Sequence, residues 1–213
     1  MSKAVKKIDQ TPESFSPKAK PEILSMVEES VGKLFRDISE IEPFQKVFEI
    51  FIMPPAIVIG KEVSLPLHGK KPLPASSHWD QIIKTEAWKT LKALPHVIKK
   101  SSCGWTCDYV SETDTFSYIL SILAPAGTTV PVGFQYRNVP QTMVAVGLWG
   151  DTMNKVIERM KKMGFVTSWY DNPGLGWNTE LYLSDEQENP PEKPKPNKEG
   201  CRWMVPCKMS EKS

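Results

Sequence analysis

The chain has 213 residues, 40% of them hydrophobic, which is enough for one large domain or two small ones with a sizeable core. Its 27 basic and 25 acidic residues leave a net charge of about +2 with no basic block, which argues against nucleic acid or an anionic membrane as partner. The longest apolar run, 51–60, is too short for a bilayer, and the N-terminus lacks the apolar stretch of a signal peptide, so the expected setting is soluble and cytoplasmic.

Residues 1–20 contain Lys, Ser and Pro without periodicity and read as a disordered tail. Residues 21–42 read as an amphipathic helix with Pro21 at its first position and Glu22, Glu28 and Glu29 toward its start. Leu24, Val27, Val31, Leu34 and Ile38 form one stripe, which either docks on the domain that follows or makes a dimer contact. A monomer or weak homodimer is expected.

The folded domain spans 43–210. Phe44 to Ile52 and Ala56 to Leu65 read as strands bent at Pro54-Pro55. After a loop with Pro66, Pro72 and Pro74, Ser76 or Ser77 caps a helix to about Leu94, which turns Trp79, Ile82, Ile83, Ala87, Leu91 and Leu94 inward. Pro95 ends it. Val97 to Tyr109 and Thr115 to Leu123 follow as strands around a polar turn at 111–114. The second half repeats the order. Gln135 to Trp149 is a strand bent near Pro140, and Asp151 or Thr152 caps a helix whose Met153, Val156, Ile157, Met160 and Met163 form a stripe ending at Gly164. Strands at Phe165–Tyr170, Trp177–Leu183 and Arg202–Met209 complete it, with a proline-rich loop insertion at 184–200. The matched segments Pro54…Ile57-Val58-Ile59-Gly60 and Pro140…Met143-Val144-Ala145-Val146-Gly147 suggest an α+β fold. It is a duplicated strand-helix-strand-strand module: a pseudo-twofold antiparallel sheet with two helices flanking a ligand groove.

Within that plan Trp177 to Leu183 is the most informative stretch. Its alternation puts Trp177, Thr179, Leu181 and Leu183 on one face and Asn178, Glu180 and Tyr182 on the other. A carboxylate between an amide and a phenol suits the floor of a cleft, although Glu180 could equally be a solvated residue on an ordinary strand. The cysteines, Cys103/Cys107 and Cys201/Cys207, are spaced C-x3-C and C-x5-C with no histidine near them. They read as reduced, half-buried thiols, and neither a metal nor a cofactor is expected.

Four short motifs in order, Glu112-Thr113-Asp114-Thr115-Phe116-Ser117-Tyr118, Val130-Pro131-Val132-Gly133-Phe134, Val139-Pro140 and Glu180-Leu181-Tyr182, resemble the GyrI-like small-molecule-binding family. The same domain serves as effector-binding domain in MerR- and AraC-type regulators. The resemblance covers roughly 44–209 and implies a ligand groove at the pseudo-twofold, with a glutamate at the position of Glu180 anchoring cationic or aromatic ligands. Residues 1–43 offer one helix and a tail, too little for a helix-turn-helix, so the stand-alone form is expected.

The reading is a protein that senses or sequesters amphipathic, cationic or aromatic small molecules in a groove anchored by Glu180. Tyr118, Trp105, Trp149, Tyr182 and Trp177 are candidates for the ligand-binding walls, each with plain core packing as its alternative; alternation puts Trp177 on the face away from Glu180. Some stand-alone relatives hydrolyse strained cyclopropanoid natural products. On that alternative Glu180 is the general base and Tyr118 or Tyr182 the hydrogen-bond donor to the leaving group. Haem or porphyrin binding is a distant third, for want of a well-placed axial histidine; His68, His78 and His96 receive no catalytic role.

Overall fold

The computed structural model describes residues 48–67, 75–98, 100–167, 176–183 and 201–210. The expected tail at 1–20, the helix at 21–42, the insertion at 184–200, His68 and the strand residues 44–47 and 168–170 lie outside the described residues. Among the described residues the chain forms nine strands and three helices, an α+β arrangement dominated by antiparallel sheet. The strands are β1 (Glu49–Met53), β2 (Ala56–Pro66), β3 (Ser101–Val110), β4 (Thr115–Pro125), β5 (Gln135–Val139), β6 (Thr142–Val146), β7 (Phe165–Thr167), β8 (Asn178–Leu183) and β9 (Arg202–Met209). The helices are α1 (Ala75–Ile82), α2 (Glu86–Ala93) and α3 (Met153–Lys162). The sheet order is β1-β6-β9-β8-β3-β4-β2-β5, with β7 on β9.

Proline explains the two bends. β1 pairs with β6 and β2 with β5 in one register, since Met53 faces Thr142 and Ala56 faces Val139. The long strand 49–66 and the long strand 135–146 therefore run along each other, interrupted where Pro54-Pro55 faces Pro140. Proline offers no N–H to a ladder, so the pairing breaks and both strands bend there. Each strand carries the chain from one edge of the sheet to the other, which curls the sheet into a half-barrel.

Residues facing one another across neighbouring strands share a face, so the register sorts the side chains. One face holds Ala56, Val58, Cys103, Trp105, Ile119, Leu123, Val139, Val144, Val146, Leu181 and Met204, packed with Trp177 as the main core. The other face carries two separate apolar pads. Over β6 and β9, Ala145 and Val205 pack with Val156 and Met160 of α3. Over β2 and β4, Ile57, Ile59 and Ile122 pack with Trp88 and Leu91 of α2, joined by Trp79 and Ile82 of α1. Both helical pads thus lie on one face, with β8 and β3 between them.

The expected single helix to Leu94 is two. Thr85 Oγ1 and Thr85 N both donate to Ile82 O, at 2.7 and 2.9 Å, and the β-branched residue adopts an extended backbone that ends one helix and starts the next. The break rephases the second helix. Trp88 is buried there, whereas Ile83, expected inward, is exposed. The chain is already helical at Ala75, so neither Ser76 nor Ser77 is the cap. Leu94 is extended ahead of Pro95, as a residue before proline must be, and β3 starts at Ser101 rather than Val97. The stripe on α3 holds except that Met163 is exposed, at the C-cap beside Gly164. Asp151 does not cap α3; its carboxylate accepts from Leu148 N at 3.2 Å and from Arg159.

Candidate functional site

The alternation of β8 places Asn178, Glu180 and Tyr182 on the face that bears the helices, in the strip between the two pads. Across from Glu180 stand Gly104 on β3 and Trp203 on β9. Tyr118 lies one strand further, on β4, where it faces Thr106. Its ring spans Gly104, and its hydroxyl donates to Glu180 Oε2 at 2.6 Å. The Tyr182 hydroxyl donates to the same oxygen at 3.0 Å. Two phenols from different strands therefore converge on one carboxylate oxygen, across a position that carries no side chain.

Helix α1 closes one side of this cluster. Trp79 Nε1 donates to the Tyr118 hydroxyl at 3.2 Å, which makes a chain from indole to phenol to carboxylate. The same indole meets Tyr182 edge-on at 5.0 Å between centroids and rests against Trp88 at 5.6 Å. Aromatic pairs prefer such edge-to-face contacts, worth about 0.5–1.5 kcal/mol each beyond area burial. On the other side, half-buried Trp203 leans on the α3 pad.

Both phenols hold their protons firmly. Burial, then the Glu180 charge, and the hydrogen bond to Glu180 push the Tyr118 and Tyr182 ionisations above the ordinary tyrosine value. At any physiological pH they are neutral donors. Glu180 itself is half-buried. The arrangement can hold a positive charge beside the carboxylate.

The structure brings Tyr118, Glu180 and Tyr182 together. It does not bring Trp105 and Trp177 to them. Trp105 faces Thr179, on the opposite side of the sheet from Glu180, and stacks on Trp177 at 4.1 Å between centroids and 21° between planes. Both indoles belong to the main core, 1% and 5% exposed. Trp149 lies buried in the turn after β6, where neighbouring Gly150 N donates to Cys201 O. Sequence reasoning missed Trp79 and Trp203 as neighbours of Glu180, and Gly104 as the space beneath Tyr118. Trp79 was legible only as an inward helical residue, and Trp203 only as part of a strand whose neighbour is not written locally.

The four cysteines are buried and not joined in disulfides, and among the described residues no group of three or more His, Cys, Asp and Glu could hold a metal ion. Among the described residues, too, no helix is long and apolar enough to cross a membrane.

No protein-family model matches the chain, and no curated protein matches it. Similar solved structures include SAV2435 bound to tetraphenylphosphonium, at 10% identity and a TM-score of 0.48, with 76% of this chain and 94% of that chain covered. The C-terminal domain of EcmrR is similar at 14% identity and a TM-score of 0.45, over 76% of this chain and 98% of that one. An integron cassette protein from the mobile metagenome of Vibrio cholerae is similar at 14% identity and a TM-score of 0.39, over 77% and 96%.

Proposed function

We propose that this protein binds amphipathic, cationic aromatic small molecules on the strip between its two helical pads, with Glu180 as the anchor. The observation that carries the reading is the convergence of the Tyr118 and Tyr182 hydroxyls on Glu180 Oε2, on a half-buried face edged by Trp79 and Trp203. A carboxylate that has lost part of its hydration gains from a nearby positive charge. Aromatic edges add cation–π attraction of about 0.5–2 kcal/mol per contact. The ligand is therefore flat, lipophilic and positively charged, and the protein acts as a sensor or sequestering module of the GyrI-like kind.

The ladder of 49–60 with 135–146, which keeps one register across the break at Pro54-Pro55 and Pro140, supports reading the two halves as a duplicated module. The domain then runs over 43–210, in the cytoplasm, as a monomer or weak homodimer with no partner beyond the small molecule. The 2.6 Å contact between Tyr118 and Glu180 favours one second reading, hydrolysis of a strained electrophile with Glu180 as base toward water.

Glu180→Gln tests both. It keeps shape and hydrogen-bond acceptance while removing the charge. Affinity for ethidium, a flat cation, falls about ten- to hundredfold, corresponding to ~1.5–3 kcal/mol. Affinity for neutral N-phenylnaphthylamine stays nearly constant. Equal small effects on both dyes make Glu180 an ordinary surface carboxylate. Turnover of a cyclopropanoid electrophile by the wild type, lost in Glu180→Gln while binding persists, would establish the hydrolase.

A further inference from the structure

Gly104 has no backbone reason to be glycine. Its φ is not in the left-handed region, it sits mid-strand in β3, and its ladder partners Glu180 and Leu120 are regular. Glycine in a strand interior weakens it and marks a close approach. Here the approach is to the site. A Cβ at position 104 would lie 2.5 Å from Glu180 Oε2 and 2.9 Å from Tyr118 Cζ, and closer still to the Tyr118 hydroxyl. Real Cβ atoms do not tolerate such distances, so any side chain at 104 must move the phenol, the carboxylate or both.

We infer that Gly104 is a positioning residue for the Glu180 anchor: its missing side chain is the space in which the Tyr118 hydroxyl crosses from β4 to reach the carboxylate on β8. The inference rests on the proposed binding function for its effect on ligand, but its geometry stands without ligand. Tyr118 and Glu180 are separated by a whole strand, and a phenol bridges that gap only by lying flat over the strand between. The same displacement frees Trp79, since its indole N–H donates to the hydroxyl that would be pushed away.

Gly60 supplies the control. A Cβ there would also clash, 2.7 Å from Ser121 Cβ and closer to Leu120 O, but its crowding comes from the backbone and core side chains of β4. Gly60→Ala and Gly104→Ala should both lower the denaturant midpoint. Only Gly104→Ala should change dye selectivity, with ethidium affinity down about tenfold or more and N-phenylnaphthylamine affinity within about threefold. A ratio of affinities that moves equally in both variants, or in neither, overturns the inference.

A second measurement needs no ligand. The midpoint cost of Gly104→Ala is read in the wild-type background and in Tyr118→Phe, where the displaced hydroxyl is gone. The cost falls by about half or more in the Tyr118→Phe background, as contact pairs show in double-mutant cycles. An equal cost in both backgrounds overturns the inference, as does a Gly104→Ala/Tyr118→Phe protein that fails to fold when Tyr118→Phe alone folds. Should Glu180→Gln leave ethidium binding unchanged, the anchor reading fails, and the ligand-free cycle still decides whether Gly104 positions Tyr118.

Discussion

Trp177 separates a wall from a core residue. It is 5% exposed, stacks on Trp105 and packs on the face of the sheet opposite Glu180. A buried tryptophan removes roughly 150–250 Å² from water, worth ~4–6 kcal/mol at about 25 cal/mol per Å². Its indole Nε1 has no hydrogen-bond partner among the described residues, and a buried orphan donor costs about 1–3 kcal/mol. The difference is ~1–5 kcal/mol, and the cavity left behind puts Trp177→Ala in its upper part, ~3–5 kcal/mol, the usual range for a large aromatic truncated in a core. Trp177→Phe keeps a ring on Trp105 and removes the orphan N–H, so lost volume and relieved polarity offset each other to within about 1 kcal/mol. Urea denaturation followed by far-ultraviolet circular dichroism gives both numbers. Ethidium titration of the folded Trp177→Phe protein then gives an affinity within about threefold of wild type. A Trp177→Phe loss as large as that of Trp177→Ala would show that the indole N–H is satisfied, and a large fall in ethidium affinity would put Trp177 at the ligand.

Alkaline stability follows from the buried thiols, since burial pushes Cys103, Cys107 and Cys207 up to about 12 from an ordinary 9.0. Between those values the folded chain binds more protons than the unfolded one, so this stability is full below about pH 9 and is lost as pH rises toward 12; denaturant midpoints should decline there, and less steeply in Cys103→Ala/Cys207→Ala. The same burial predicts that Ellman's reagent finds the native thiols slow to react and all four reactive in denaturant. At the entry to α3, Asp151→Ala orphans the Leu148 N–H and the Arg159 partner together, for a loss of about 1–3 kcal/mol by denaturation with ethidium affinity unchanged.

Much of the fold was legible because its signals are local. Alternation in 178–183 assigned Glu180 and Leu181 to opposite faces, and Arg202–Met209 emerged as a strand with the bounds expected. The paired prolines marked both bends, and the period of 153–160 marked the buried side of α3. The placement of the tryptophans was not legible, because a face is a property of register between strands that no single stretch carries. Gly104 and Trp105 are adjacent, yet one lies beside Glu180 and the other in the core, the consequence of a period of two. Trp88 was hidden for a different reason. A continuous helical period across 79–94 predicts one face, and Thr85 resets the phase by bonding its own side chain to Ile82 O.

The most direct measurement is a crystal structure with a bromine-substituted ethidium, located by its anomalous signal. The cation should lie on the helix-bearing face beside the Glu180 carboxylate, with its ring system within about 6 Å of the Trp79 or Trp203 ring centroid. A ligand lodged in the core among Trp105 and Trp177, or bound elsewhere with Glu180 facing only water, would contradict the account.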